Sequence, residues 1–484
     1  MVSKPYRIFK AYIRFLCERI FYRDTYVLGQ ENIPCDGTPV IIASNHQNSF
    51  NDALGILMAF RYRKVHFIVR ADVFALSPLA DRFLRSLGLL PAFRMAYEGE
   101  DALKDNEATF RVSGKEIMDG NTVTIFPEAG HAEGHWLNVF RSGFAKLAFG
   151  AAEMGDWEQD ITIIPTCNHY SSYKGLRTQS LVRFGSPISL KPYYELYRSK
   201  PRTAMRAVNK AVRDQIDSMM LDIRDMGHYG EIEFIRNGEY GRKYARSRGL
   251  DPDVLPQKLE SDKTLVSALY AEMSHEDPYM VDVSSEAGET AAEIAERAKE
   301  KRSERMNSAG PLEVPESRPL EEAYAIAREL EAKEKDLGIA DRQLSDTPKM
   351  WGVILRCMCL ALLLPLAVFC LWPSAISWLV PQYFARKAEG DMFEGSFLLI
   401  LNVLFIFPLL GIISLFVVWS RFSLLTAVVY VLMFPAICLF EWFYCKSVRR
   451  AIEDVHFLHA SREGLTGPLR SMRSRMCTLL DEIL

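Results

Sequence analysis

Three long apolar runs near the C-terminal end constrain the fold of this 484-residue chain more than any other feature. The runs are Trp351 to Val380, Phe397 to Val418 and Phe422 to Phe443, and each has the ~20 residues that cross the hydrocarbon core of a bilayer. A chain of this length also exceeds what one core usually organises. The sequence therefore predicts an integral membrane protein that carries at least one globular domain as well.

The Lys and Arg residues that flank the apolar runs predict the membrane topology. If all three runs crossed the bilayer, three of these residues would lie inside and five outside, against the positive-inside rule. We therefore expect the first run to enter the membrane and return as a hairpin, with helix breaks at Pro365 and Pro373, while the other two runs cross. The alternative is one long, tilted and kinked helix. The hairpin would place both the globular domain and the C-terminal tail in the cytoplasm.

The N-terminal region is basic and amphipathic. Charged residues interrupt its apolar positions, so no cleaved signal peptide is expected. Apolar side chains recur at helical spacing from Tyr6 to Phe21, with Lys and Arg at the other positions. This pattern predicts a helix on the surface of anionic lipid over residues 1–25. An ordinary packing helix is an equally good interpretation.

Short β-rich runs alternate with amphipathic helical stretches between Thr38 and Pro187. The runs are TPVIIAS, VHFIVR, TVTIF, ITIIPT and LVRFG. This rhythm predicts an α/β domain with a mixed sheet and flanking helices over residues 26–200. The highly charged residues 201–349 predict a helical linker or loosely docked arm, with an independent domain as the alternative. A C-terminal α-helical membrane domain at 350–445 and a basic tail at 446–484 complete the predicted organisation.

Composition and motifs exclude several classes of function. A net charge of −3 and the lack of a compact basic patch argue against a nucleic-acid partner. The nine cysteines are scattered without a CxxC pair, as expected in a reducing compartment. The sequence has no GxGxxG, GxxxxGK[ST] or GxSxG motif. The stretch from His131 to His135 lacks a third metal ligand, so we expect no metal and no cofactor.

Residues suited to acid–base chemistry follow several of the predicted strands. His46 follows the run PVIIAS, at the carboxyl end of a strand, where open α/β sheets bind ligands. An imidazole acts as a general base near neutral pH when an acid fixes its tautomer and stabilises the imidazolium. Glu128 follows a second strand, and Arg94 and Arg141 come from two further loops. Two guanidinium groups near a base are suited to binding a phosphorylated alcohol, because one arginine forms bidentate hydrogen bonds with two phosphate oxygens.

Four blocks of the sequence together resemble a known family. NHQNSFND, GLLPAFR, FPEAG and IIPTCNHY resemble, in this order, the blocks of the glycerolipid acyltransferases, the PlsC-like family of glycerol-3-phosphate and lysophosphatidic acid acyltransferases. The resemblance covers about residues 25–190, and the membrane-ended organisation is similar to a bacterial subgroup. It implies a general base, its acidic partner and four substrate-binding residues, which are respectively His46, Asp52, and Arg94, Glu128, Gly130 and Arg141.

The chain departs from the family at the partner of the base. The usual spacing would place Asn51 there, whereas Asp52 is one residue further. Charge favours Asp52, because an amide does not balance an imidazolium and the same exchange costs about 10⁴ in rate in a serine protease. The alternative is that Ser49 and Asp52 form a capping box at the start of a helix. For Glu128, the alternative is a structural carboxylate that accepts hydrogen bonds from turn amides.

The resemblance implies an activity at the membrane. A fatty acyl group would pass from acyl-CoA or an acyl carrier protein (acyl-ACP) to the hydroxyl of glycerol-3-phosphate or lysophosphatidic acid, in phospholipid synthesis. The enzyme would lie in a bacterial inner membrane, with its catalytic domain facing the cytoplasm and membrane lipid as a partner. Two alternatives stay open: an acceptor that is another lyso-lipid, such as an acylated amino acid, and a non-enzymatic lipid-binding membrane protein.

Overall fold

The computed structural model describes residues 4–34, 37–60, 64–70, 74, 78–92, 101–128, 134–271, 319–387 and 392–484. The chain divides into two compact units. The first unit comprises residues 1–220 together with 384–403, and the second comprises residues 221–383 together with 404–484.

The first unit is built on one mixed sheet of eight strands. Their order across the sheet is β1-β7-β6-β2-β5-β3-β4, with the short β8 paired to β6. Strands β2 to β6 run parallel wherever they are neighbours, whereas β6 pairs antiparallel with β7 and β8. The strands are β1 (Tyr22–Leu28), β2 (Val40–Ser44), β3 (Val65–Arg70), β4 (Leu89–Ala92), β5 (Thr122–Ile125), β6 (Thr162–Tyr170), β7 (Thr178–Phe184) and β8 (Ile188–Ser189).

Helices cover both faces of this sheet, which confirms the predicted α/β class. Ile41 and Ala43 of β2 pack on one face against helices that include Gly143–Met154 and Pro201–Met219, whereas Val40 and Ile42 pack on the other face. Buried parallel strands are expected to be apolar on both sides, so β2 was recognisable as a short apolar run. The helices of this unit are α1 (Lys4–Leu16), α2 (Phe50–Ala59), α3 (Pro78–Ser86), α4 (Asp101–Met118), α5 (Gly143–Met154), α6 (Tyr194–Ser199) and α7 (Pro201–Met219).

Two of the predicted boundaries differ from the structure. Strand β1 begins at Tyr22, before the predicted start of the domain at 26. Helix α7, which was assigned to the charged arm that begins at 201, contributes Val208, Val212 and Ile216 to the sheet's core. The reason is that α7 is charged on one face only, so its apolar stripe packs on the sheet.

Helix α1 packs on the first unit. Tyr6, Ile13 and Leu16 are buried, and the Lys10 ammonium donates a hydrogen bond to the Phe60 carbonyl. This face of the helix therefore has the packing role that was one of the two interpretations. Phe15 on another face is exposed. Contact of that face with lipid stays a prediction.

The second unit is helical, and the described charged region is part of it. Leu330, Ile339 and Leu344 share a buried cluster with Phe457 and Leu469. The interpretation as a loose arm and a separate tail is therefore wrong for these residues, because their apolar stripes bury one another. Residues 272–318 of the predicted charged region lie outside the described residues. The described helices of this unit up to residue 345 are α8 (Tyr229–Asn237), α9 (Glu239–Ser247), α10 (Leu255–Ala271), α11 (Pro319–Leu337) and α12 (Asp341–Ser345).

A histidine is buried among carboxylates in the second unit. His228 Nδ1 lies 2.7 Å from Asp225 Oδ2, its Nε2 lies 3.5 Å from Glu321 Oε2, and its ring stacks on Tyr324. Burial lowers the pKa of His228, but the hydrogen bonds and charges of the two carboxylates outweigh burial and raise the pKa to about 9. A protonated His228 therefore stabilises this unit at neutral pH.

Among the described residues, three helical segments are long and apolar enough to cross a membrane: Met350–Leu371, Glu394–Arg421 and Leu424–Arg462. The predicted hairpin in the first apolar run is wrong, because residues 350–387 form one continuous helix. A proline removes one backbone donor, whereas a hairpin turn leaves several polar groups unsatisfied in lipid, so continuing the helix costs less. The helices are α13 (Met350–Lys387), α14 (Met392–Leu401), α15 (Phe407–Arg421), α16 (Leu424–Arg462) and α17 (Thr466–Ile483).

Candidate active site

The candidate site lies at the carboxyl ends of three neighbouring strands. Strand β2 pairs in parallel with β5 on one side and with β6 on the other, so the three chain segments leave the sheet at the same edge. His46 follows β2, Glu128 follows β5, and Tyr170 is the last residue of β6. Parallel pairing therefore brings together residues that are more than 80 positions apart in the chain.

His46 and Asp52 form a hydrogen-bonded pair. The His46 Nδ1 atom lies 2.9 Å from Asp52 Oδ2, and the imidazole stacks on Phe126 with ring centroids 3.9 Å apart. The Asp52 side chain is fully buried, whereas 17% of the His46 side chain is exposed. With Nδ1 bonded to the carboxylate, the proton resides on Nδ1 and the lone pair is on Nε2. This is the geometry that a general base needs.

The loop between β2 and α2 explains why the partner is Asp52. The Ser49 side chain makes no capping hydrogen bond, so the capping box that was the alternative is not formed. Asp52 Oδ2 instead accepts the Asn48 N–H at 2.8 Å while it holds His46. The Asn51 amide donates to Asn48 Oδ1 at 3.2 Å. Ser49 has a φ of 43°, a backbone conformation that residues other than glycine rarely adopt. This strained residue lies in the turn that accommodates the one additional residue between His46 and Asp52.

Tyr170 supplies a second hydrogen bond to Asp52, which the sequence interpretation missed. Its hydroxyl donates to Asp52 Oδ1 at 2.9 Å. Burial, and then the charge of Asp52, raise the pKa of Tyr170 well above its usual range, so the hydroxyl stays protonated and remains the donor. A signal was present in the sequence, because Tyr170 ends the block IIPTCNHY at the edge of the sheet that carries His46.

Glu128 connects two loops through their backbones. Its Oε1 accepts the His46 N–H at 2.8 Å, and its Oε2 accepts the Asn138 N–H at 2.9 Å. Burial raises the pKa of Glu128 to about 8, although the two backbone donors and the positive charge of Arg213 act in the opposite direction. Both oxygens thus serve turn amides, as in the structural alternative for this residue.

Arg213 was not found from the sequence. This residue of α7 donates to the carbonyls of Leu137 and Asn138, each at 3.1 Å. Arg213 therefore fixes the loop at residues 137–138, which Glu128 also fixes by accepting the Asn138 N–H. Its position inside a charged helix, 75 residues from the loop, gave no signal.

The predicted substrate-binding residues are only partly described. Arg94 and Gly130 lie outside the described residues. Arg141 is exposed, and its backbone N–H donates to the Pro127 carbonyl at 2.9 Å, which places its main chain beside that of Glu128. Of the predicted polar loop, His131 is outside the described residues, and His135 is buried with Nδ1 3.4 Å from the Tyr173 hydroxyl.

Two comparisons with known proteins find similarities. Residues 24–168 match the family model described as Acyltransferase. Among solved structures, the crystal structure of the 1-acyl-sn-glycerophosphate (LPA) acyltransferase PlsC from Thermotoga maritima matches with a TM-score of 0.32 and 17% identity, over 44% of this chain and 77% of that chain. No curated protein matches the chain.

The family match identifies the class of protein. The first unit carries an acyltransferase domain, and the recognition made from the four sequence blocks is confirmed. The same chain carries helices long and apolar enough to cross a membrane. Residues 24–168 are therefore an acyltransferase domain, in a chain whose helices are long and apolar enough for association with a membrane.

Proposed function

We propose that this chain transfers a fatty acyl group from an acyl thioester to the hydroxyl of glycerol-3-phosphate or lysophosphatidic acid. The observation that carries the proposal is the contact of 2.9 Å between His46 Nδ1 and the fully buried Asp52 within an acyltransferase domain. A buried aspartate beside an exposed imidazole edge supports general-base catalysis on a substrate hydroxyl.

The reaction proceeds by direct attack. His46 Nε2 takes the proton of the acceptor hydroxyl, and Asp52 stabilises the imidazolium that forms. The hydroxyl oxygen forms a bond to the thioester carbonyl carbon, which becomes a tetrahedral oxyanion. When this intermediate collapses, the carbon–sulfur bond breaks, and the thiolate of coenzyme A or of the carrier protein leaves and takes the proton from His46. An ester and a free thiol result, without a covalent acyl-enzyme.

The other polar residues position this pair or bind the acceptor. Tyr170 and the Asn48 amide hold the Asp52 carboxylate, and Glu128 holds the backbone of His46. We assign Arg94 and Arg141 to the acceptor phosphate, and we keep Gly130 as a proposed substrate-binding residue. Acyl-CoA and acyl-ACP are cytoplasmic donors, so we place the catalytic domain on the cytoplasmic face of a bacterial inner membrane.

The experiment is an acceptor and donor panel. Purified protein in lipid nanodiscs is given acyl-CoA or acyl-ACP with glycerol-3-phosphate, lysophosphatidic acid or an acylated amino acid, and the new ester is measured. Transfer to a phosphate-bearing acceptor that is lost in His46→Ala supports the proposal. Transfer only to the acylated amino acid would remove the phosphate role of the arginines. An unchanged rate in His46→Ala would show that His46 is not the general base.

A further inference from the structure

Helix α14 is apolar, but one of its faces is small and polar. It opens the candidate membrane span Glu394–Arg421. Gly395 and Ser396 of α14, and Asn402 directly after it, are the small or polar residues of this face; they lie beside the apolar Leu399 and Val403, and all five are buried within the first unit. A helix surrounded only by lipid has no need of such a face, since small and polar residues in membrane helices mark protein contacts.

The contact partner of this face is the loop that carries the His46–Asp52 pair. The Ser396 hydroxyl donates to the backbone carbonyl of Asn48 at 2.7 Å. The same hydroxyl oxygen accepts a hydrogen bond from the backbone N–H of Asn51 at 3.4 Å. The Asn48 N–H in turn donates to Asp52 Oδ2. Ser396 is therefore connected through one residue to the carboxylate that holds His46.

Gly395 fits against the other side of the same loop. A Cβ at this position would lie 2.4 Å from the Tyr173 carbonyl oxygen and 3.4 Å from Asn51 Nδ2. The carbonyl belongs to the backbone, so it yields only if the segment moves. The Tyr173 hydroxyl also donates to Gln47 Oε1 at 2.9 Å. A Cβ at 395 would therefore displace the backbone of Tyr173, whose hydroxyl contacts Gln47 at the start of the loop 47–51.

We propose that the start of α14 belongs to the active site, with Gly395 and Ser396 as positioning residues for the His46–Asp52 pair. The inference rests on the proposed function and deepens it, because it fixes where the reaction occurs. Glu394 precedes these two residues and the apolar run begins at Phe397, so they lie at the polar–apolar boundary of the helix. The catalytic loop is thereby held at the depth of lipid headgroups, where the hydroxyl of a lyso-lipid is found.

The test compares two matched pairs of variants in nanodiscs, normalised to folded protein by size-exclusion chromatography. Gly395→Ala is paired with Gly411→Ala, whose added Cβ meets Val431 Cγ1 at an ordinary 3.4 Å. Ser396→Ala is paired with Ser420→Ala, whose hydroxyl, among the described residues, donates within its own helix to the Val417 carbonyl. For each variant, kcat, both KM values, and hydrogen–deuterium exchange of residues 45–58 are measured.

The expected result separates positioning from general stability. Gly395→Ala lowers kcat by about 10- to 100-fold, and Ser396→Ala by about 3- to 10-fold, with the donor KM unchanged, because the base is misplaced while the donor site stays intact. Exchange of the loop amides becomes faster in these two variants only. Both control variants have the same activity and the same hydrogen–deuterium exchange rates as the wild-type protein.

Two outcomes would overturn the inference. One is equal kcat in Gly395→Ala and Gly411→Ala, and the other is unchanged exchange of the loop in both α14 variants. If the unchanged protein transfers no acyl group to any acceptor, the proposed function fails, and the exchange data alone decide whether α14 supports the loop. If Gly395→Ala does not fold, Ser396→Ala decides, since it removes a hydroxyl without adding an atom.

Discussion

The Asp52→Asn variant tests the chemistry of the pair with little change of structure. Asp52 Oδ2 accepts hydrogen bonds from His46 and Asn48, and Oδ1 accepts one from Tyr170. An asparagine that keeps its oxygen toward His46 and Asn48 turns its NH₂ toward Tyr170, whose hydroxyl rotates and accepts. All three contacts survive, so we expect a folded protein that has lost one negative charge.

The size of the effect follows from the separation. Opposite unit charges 2.9 Å apart attract by about 6 kcal/mol at an effective dielectric constant of about 20. Losing this attraction for the imidazolium corresponds to about 10⁴ in rate, and the amide dipole of asparagine recovers a part of it. We therefore expect kcat to fall by about 10³ to 10⁴, the range found for the equivalent exchange in a serine protease.

The assay is ester formation at saturating donor and acceptor, with folding monitored by circular dichroism. Asn51→Ala is the control, because it removes an amide that contacts Asn48 and leaves the charge beside His46 unchanged. We expect this control to lose no more than about tenfold in kcat. If Asn51→Ala is inactive and Asp52→Asn is active, the assignment of Asp52 as the partner of His46 is wrong.

Four further predictions follow from other parts of the chain. Glu128→Gln should lower the free energy of unfolding by about 1–3 kcal/mol in a denaturant titration above pH 8, where the carboxylate is ionised, because its NH₂ would face a backbone N–H donor, and equal stability would contradict this. The His228 pKa is raised from 6.5 to about 9, so its stabilising contribution is complete below pH 6.5 and is lost as the pH rises through 9. Between pH 6.5 and 9, the melting temperature of the wild-type protein should fall relative to that of His228→Gln. If the two melting temperatures keep a constant difference over this pH range, the prediction is refuted. Arg141→Ala should raise the KM for the acceptor, and a change confined to the donor KM would exclude a phosphate role. Because α14 begins beside the catalytic loop, we expect α13 not to cross the bilayer and the two spans after it to return the chain to the side of the catalytic domain. A cysteine at Ser461 in a background without native cysteines should therefore resist impermeant thiol reagents in intact cells, whereas labelling would place the tail outside.

The central strands could be predicted because they are short apolar runs buried on both faces. Strand β1, with the sequence YRDTYVL, was missed, because it is partly exposed at the edge of the sheet and the residues RDT interrupt its apolar positions. Strand β8 has two residues, too few for any pattern. The position of His46 followed from one rule, that ligands bind at the carboxyl ends of parallel strands.

The choice between Asn51 and Asp52 came from charge and agrees with the observed contact. The supporting contacts needed the structure. Tyr170 and Arg213 reach the site from 118 and 75 residues away, and Ser396 from 348. No local periodicity reports such contacts. The prediction of a hairpin in the first apolar run was wrong, because the number of flanking Lys and Arg residues indicates on which side of the membrane a helix ends. It does not indicate whether the backbone turns within the apolar run.

The hydrogen bond between Ser396 and Asn48 has a consequence for how the protein is made. It joins residues 348 positions apart, so at about 5–20 residues per second a ribosome needs roughly 17 to 70 s to supply the second partner after the first. During this interval the nascent catalytic domain has its sheet but not the helix that supports its loop. A newly made domain would then become fully active only after its membrane segment is synthesised, and acyl thioesters in the cytoplasm would be protected from premature use.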